Sequence, residues 1–229
     1  MTSASTALAN LPEWNLADLY PAPDSPAFTA DVKEARTRCA AFASAWSGKL
    51  ASASPKDLAK AIAEYDSLSD LVGRIGSYAQ LHYVGDTTDA ARAKFYGDVS
   101  NTLTELSSQL LFFELELNKI DDTALANALR EPALAHYKPW LDNLRMEKPY
   151  QLDDKLEQLF LEKSQTAAGA FNRLFDETMA DLRFEVDGKQ LTLEPTLNLM
   201  QSPDEARRRT GAEALAKTFK SNLRLFTLI

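Results

Sequence analysis

Apolar and polar positions along this chain alternate mainly with the period of an α-helix. From Phe95 the apolar residues Val99, Leu103, Leu106, Leu110, Phe113, Leu117 and Ile120 follow at steps of four or three. That rhythm marks one face of a helix over 88–119, about 48 Å long at 1.5 Å per residue. Asp121-Asp122 ends it and starts a shorter one. A second stripe runs through Leu58, Ile62, Tyr65, Leu68, Val72, Ile75 and Ala79. Its helix is predicted to start at Ser54-Pro55, with Asp57 in the first turn, and to stop at Gly85-Asp86. Before it, Ser25-Pro26 opens a helix that reaches about Trp46, and 48–52 is the connector.

The middle of the chain is more interrupted. A short helix is expected over 122–130, ahead of Pro132, and another from Pro139 to Met146, stopped by Pro149. Asp153-Asp154 then sits at the N-terminus of a predicted long helix to about Leu182, where acidic side chains favour the positive end of the helix dipole. Its expected core face is Leu156, Leu159, Phe171, Leu174 and Phe175, with Gly169 as a bend. The period changes to two over 183–186 and 190–193. Asp187-Gly188 between these runs is a strong two-residue hairpin signal. The stretch 195–200 fits no single period. Ser202-Pro203-Asp204-Glu205 reads as a capping box opening a helix with Leu215, Phe219, Leu223 and Phe226 on one face. The expected fold is all-α, an antiparallel bundle of long helices with one small β-hairpin near 183–193. No internal repeat is present.

Composition agrees with a packed helical protein. The 229 residues are 45% hydrophobic and 25% charged, enough for one large domain or two small ones with a real core. Only 8 Gly and 10 Pro argue against a turn-rich all-β protein. The net charge of −8 repels phosphate backbones, so no nucleic acid partner is expected. One segment runs against that balance: 203–229 holds six basic and three acidic residues, leaving −11 for the rest. Its densest run, Arg207-Arg208-Arg209, is read as a solvated helix face or a salt-bridge set. No stretch has the roughly 18 consecutive apolar residues of a membrane span, and 1–11 has neither a basic residue nor an apolar run. The expectation is a soluble, cytoplasmic protein with no membrane partner and a loose first ten residues.

The supply of reactive side chains is thin. A zinc protease motif HExxH needs two histidines four apart on one helix, with a glutamate as base. His82 has Asp86 at that spacing and His136 has Trp140, so both histidines are read as structural or exposed. The single cysteine, Cys39, excludes an internal disulfide and lies in an alanine-rich helical stretch, where an inert buried thiol is expected. GxSxG, P-loop and GxGxxG patterns are absent from the sequence. Gly73 and Gly76 are read as close helix contacts. The pairs Asp121-Asp122 and Asp153-Asp154 are explained by helix starts without a cation. From the residues alone there is no catalytic, cofactor-binding or metal site. The final stretch, Leu223-Arg224-Leu225-Phe226-Thr227-Leu228-Ile229, stops inside an apolar helical pattern, so Ile229 is expected to be a cut rather than a natural terminus.

Several segments, taken in order, resemble the N-terminal part of oligoendopeptidase F, a bacterial zinc metallopeptidase family of the thimet oligopeptidase type. Trp14-Asn15-Leu16-Ala17-Asp18-Leu19-Tyr20 is similar to the family's opening W-x-L-x-D-L-Y. Arg74-Ile75-Gly76-Ser77-Tyr78-Ala79 is similar to its R-[IL]-x-x-Y-A stretch. Further likeness lies in Pro149-Tyr150-Gln151-Leu152 leading into a helix, in 170–177, and in the hairpin and helix start that follow.

The resemblance implies a helical lobe, 1–200, forming one wall of a substrate cleft, and the first helix of a zinc-peptidase domain, 201–229. In the family HExxH and a downstream Glu hold Zn2+, and the motif's Glu activates water. None of these residues occurs here, so no catalytic or metal residue carries over, and this chain alone is expected to be inactive and to bind no zinc. The parent protein would hydrolyse short oligopeptides. The helix from Ser202 would dock on a missing C-terminal catalytic domain through Phe219, Leu223, Phe226 and Ile229. The alternative is a free-standing, non-catalytic helical interaction module derived from the same lobe.

Overall fold

The structure is a computed structural model that describes residues 14–229, so the expected loose first ten residues lie outside the described part. It is all-α with one two-stranded hairpin, and it divides into two compact units. The first comprises residues up to Gly85 with Lys94–Lys163, and the second Asp86–Ala93 with Ser164–Ile229.

In the first unit the predicted long helices form nearly where expected. Helix α1 is Pro26–Trp46, α2 Pro55–Val84 and α3 Ala90–Lys119. Their starts follow from local chemistry. Ser25 Oγ accepts from the Phe28 amide at 3.3 Å, and Ser54 Oγ accepts from the Asp57 amide at 3.2 Å, with proline next in both. Asp89 caps α3 by accepting from Ala91 and Arg92 at 2.7 and 3.2 Å, which moves the start two residues past the expected one. The predicted stripes are the core: Leu58, Ile62, Leu68 and Ile75 meet Val99, Leu106, Leu110, Phe113 and Leu117 in one buried cluster. Rings lock the helices together, with Phe113 5.1 Å from Phe42 and 4.6 Å from Tyr65 between centroids. Each fully buried side chain of this size is worth about 1.5–3 kcal/mol. Of the two helix glycines, only Gly76 marks a close contact: a Cβ there would lie 3.0 Å from Leu103 Cδ1, whereas Gly73 faces open space.

Three short helices follow, α4 Asp122–Ala128, α5 Pro132–Ala135 and α6 Lys138–Glu147, and then α7 Asp154–Lys163. Arg145 of α6 donates to the carbonyls of Asn118 and Ile120, both at 2.7 Å, and so satisfies the open C-terminal end of α3.

The expected single helix from Asp153 to Leu182 is corrected by the structure. It is two helices, α7 and α8 Ala168–Asp181, separated at 164–167. Ser164 and Thr166 are indifferent helix formers, and the Gly169 amide bonds the Ser164 carbonyl at 2.8 Å. A Cβ at Gly169 would lie 3.0 Å from that same oxygen. The expected core face is corrected too: Leu156, Leu159, Phe171, Leu174 and Phe175 are all exposed.

In the second unit the hairpin pairs β1 Phe184–Val186 with β2 Lys189–Leu191, Val186 opposite Lys189. Asp187 and Gly188, with φ of 52° and 73°, make the primed turn that suits right-twisted strands. Residues 193–199 are a helix, α9 Leu193–Leu199, and α10 Glu205–Ser221 packs on the hairpin and on α9. Phe184 meets Phe219 at 5.6 Å, and Gly211 lets α9 approach: a Cβ there would sit 2.9 Å from Leu199 Cβ. The cap of α10 is Asp204, which accepts from the Ala206 amide at 2.9 Å; Ser202 instead accepts from the Asp204 amide, so Pro203 precedes the helix. The helix then breaks at Asn222 (φ −104°, ψ 9°), whose side chain donates to the Thr218 carbonyl, before α11 Leu223–Leu228.

Candidate functional site

Among the described residues no group of three or more His, Cys, Asp and Glu side chains is placed to hold a metal ion. His82 stacks on Tyr78 at 5.9 Å and meets Phe95 edge-on, within the core aromatics. His136 is exposed beside Tyr137. Cys39 is fully buried, and burial raises its thiol pKa, which keeps it protonated and unreactive. The described residues therefore offer no donor set that fits zinc.

The charge features are tied into the scaffold. Asp121 caps α4, and its bonds from the Ala124 and Thr123 amides hold its carboxyl below the usual range. Asp122 pairs with Lys148 and Arg145, and Asp154 with Lys119. The arginine run is a salt-bridge set: Arg207 reaches Asp187 at 3.7 Å, Arg209 reaches Glu205 at 2.9 Å, and Arg208 donates to the carbonyls of Ser202 and Pro203.

Two arrangements stand out. The first, in the first unit, joins the two motif segments that carried the resemblance. Tyr20 is buried between Phe28 and Tyr78, with centroids at 5.1 and 5.2 Å in edge-to-face geometry. Its hydroxyl donates to Asp31 at 2.7 Å, Arg74 pairs with Asp31 at 3.2 Å, and the Arg74 guanidinium lies 5.9 Å above the Tyr20 ring. Burial, then the Asp31 carboxylate, pushes the Tyr20 pKa up to about 12. These motifs therefore clasp the entering chain to α1 and α2. Asp31, the hinge of the clasp, carries no signal in the sequence: it is one more polar residue on a helix face. The same is true of Glu114, which accepts from Tyr65 at 2.9 Å, and of Glu64, which accepts from the Trp46 indole at 2.8 Å.

The second arrangement lies in the second unit. Phe175, Met179, Phe219, Lys220, Leu223 and Phe226 line an open, almost wholly apolar cavity of about 540 Å³. Phe226 meets Phe175 at 6.3 Å and Phe219 at 5.8 Å. The expectation that Phe219, Leu223 and Phe226 lie along one face of a single continuous helix is corrected here. The break at Asn222 turns Phe226 back onto Phe219 and the small core, while Leu223 is left 60% exposed. Chemically this is a surface for holding apolar groups, with nothing in it to activate water.

The family model described as Oligopeptidase F matches residues 116–184. The curated Oligopeptidase PepF of Bacillus subtilis (strain 168) is 26% identical over 215 residues, covering 90% of this chain and 31% of that relative. The crystal structure of oligoendopeptidase-F from Enterococcus faecium superposes with a TM-score of 0.70 at 19% identity, over 85% of this chain and 40% of that one. At that identity the likeness is one of fold. The chain spans about a third of the length of the curated relative. Among the described residues no helix is long and apolar enough to cross a membrane. Sequence and fold together relate this chain to the N-terminal portion of oligoendopeptidase F.

Proposed function

We propose that this chain is the N-terminal lobe of a cytoplasmic, oligoendopeptidase F-like zinc metalloendopeptidase that cleaves short oligopeptides. Residues 1–200 form a wall of the peptide cleft and restrict entry, and 201–229 lead into the catalytic domain. The observation that carries this reading is a fold likeness over most of the chain to a peptidase more than twice its length, in a chain whose described residues hold no cluster of His, Cys, Asp and Glu placed for a metal ion. Zinc chemistry then has to come from residues outside these 229, and the chain's own task is to shape and bind.

The test starts with the source gene and the intact mass of the native protein. A frame that continues past Ile229 to HExxH, and a native mass well over twice 25.4 kDa, support the reading. The longer product should cleave a quenched fluorescent oligopeptide and lose that activity to a chelator, whereas 1–229 should neither cleave it nor bind zinc one-to-one in calorimetry. Stoichiometric zinc binding by 1–229 would sink the division of labour. A stop codon after Ile229 and a native mass near 25.4 kDa would favour the free-standing interaction module.

A further inference from the structure

Helix α8 is amphipathic and fourteen residues long, yet none of its residues is buried. Phe171, Leu174 and Phe175 sit at i, i+3 and i+4, the spacing that elsewhere in this chain marks a buried face. The α8 residues Phe175 and Met179, with Phe219, Leu223 and Phe226, line the apolar groove. Contiguous exposed apolar surface of this kind marks an interaction site in a soluble protein. One cation, Lys220, stands at the groove.

We propose that this groove is covered by the polypeptide that the longer relatives carry beyond the span matched here, through apolar side chains with a carboxylate set against Lys220. The proposal rests on the peptidase reading above and adds the place of attachment. Two observations choose this occupant. More than half of each relative lies outside the matched span, so there is ample chain to cover the groove. Helix α11 is itself a wall of the groove through Leu223 and Phe226. A segment continuing from it would start at the groove, where linkage keeps its effective concentration high and the loop to be closed is short.

Thiol labelling tests this directly, because the only natural cysteine of the chain, Cys39, is fully buried. Leu223→Cys places a thiol at an exposed position, and Phe171→Cys is a second probe on α8. Maleimide labelling is timed for 1–229 and for the longer product of the same gene, each against its rate in urea, with the modified site identified by peptide mass. Both probes should label in 1–229 within a few-fold of the unfolded rate and at least tenfold more slowly in the longer protein. Lys220→Glu in the longer protein should bring the rate back up several-fold. Equal labelling of 1–229 and the longer protein overturns the proposal while leaving the peptidase reading to its cleavage assay. Protection that grows with the concentration of 1–229 alone overturns it in favour of a second copy of this chain. No response to Lys220→Glu removes the carboxylate from the proposal. A frame ending at Ile229 removes the peptidase reading itself, before any labelling is done.

Discussion

The two units use the same apolar spacing and reach different ends. In the first, the stripes of α1, α2 and α3 close on one another, and Phe42, Phe113, Leu106 and Ile75 are all but sealed from water. In the second, the core proper is Leu182, Phe184, Val186 and Ala214, and α8 beside it has no fully buried residue and packs on that core only through Met179. A helix face becomes apolar through local sequence, but it becomes a core only when another element covers it. The first unit supplies its own cover for α1, α2 and α3, though not for α7, whose Leu156 and Leu159 stay exposed. The second closes around the hairpin, α9, α10 and Phe226 of α11, a core small enough to be marginal.

The comparison is sharpened most by cutting both cores at matched points. Phe113 and Phe184 are each fully buried, and truncating either to alanine should cost about 3–5 kcal/mol. All three tryptophans, Trp14, Trp46 and Trp140, belong to the first unit, so indole fluorescence reports on it alone while far-ultraviolet circular dichroism reports on both. In urea, Phe113→Ala should move the fluorescence midpoint. Phe184→Ala should lower the midpoint of part of the dichroism and leave fluorescence where it was. A fluorescence midpoint that moves equally in both variants would show one cooperative block and end the contrast.

Much of the first unit was legible, and the reason is physical. Its helices start at Ser25-Pro26 and Ser54-Pro55, signals carried within four residues, and their stripes meet partners from the same chain. The hairpin was legible because only a primed turn suits Asp187-Gly188 between alternating runs. What failed was whatever depends on distant or absent chain. The i, i+3, i+4 pattern of Leu156, Leu159 and Phe171 to Phe175 reported an apolar face correctly but could not show that nothing covers it. The break at Asn222 was missed because one asparagine that binds the Thr218 carbonyl looks like any other polar helix residue. The Tyr20 clasp is half visible in the sequence: both motifs stand out, while Asp31, which joins them, does not.

That clasp gives the next prediction, intermediate in size. Tyr20 stays neutral in the folded state up to about pH 12, against 10 for a free tyrosine, because of its burial and the Asp31 carboxylate. A raised folded pKa means stability that is complete below pH 10 and is lost as pH climbs from 10 towards 12. The slope in that window is at most about 1.4 kcal/mol per pH unit for one group. Tyr20→Phe should cost about 1 kcal/mol at pH 7 through the lost hydrogen bond and make the fall above pH 10 shallower. Urea midpoints at pH 8, 10 and 11.5, followed by tryptophan fluorescence, read both effects. An unchanged slope would mean that the Tyr20 hydroxyl is not held as described.

The smallest expected effect lies on α8 and probes the open side of the comparison. Phe171 has the same residue type and the same helical spacing as Phe113, yet it is 47% exposed where Phe113 is 0%. The cost of removing a side chain follows the area it hides and the cavity it leaves, and at Phe171 there is little of either. Phe171→Gln in 1–229 should therefore change stability by less than about 1 kcal/mol, within the range of ordinary surface changes. Denaturant unfolding by circular dichroism reads this effect. A loss of 3 kcal/mol or more would show that this chain covers α8 after all. The two units would then differ in size and no longer in kind.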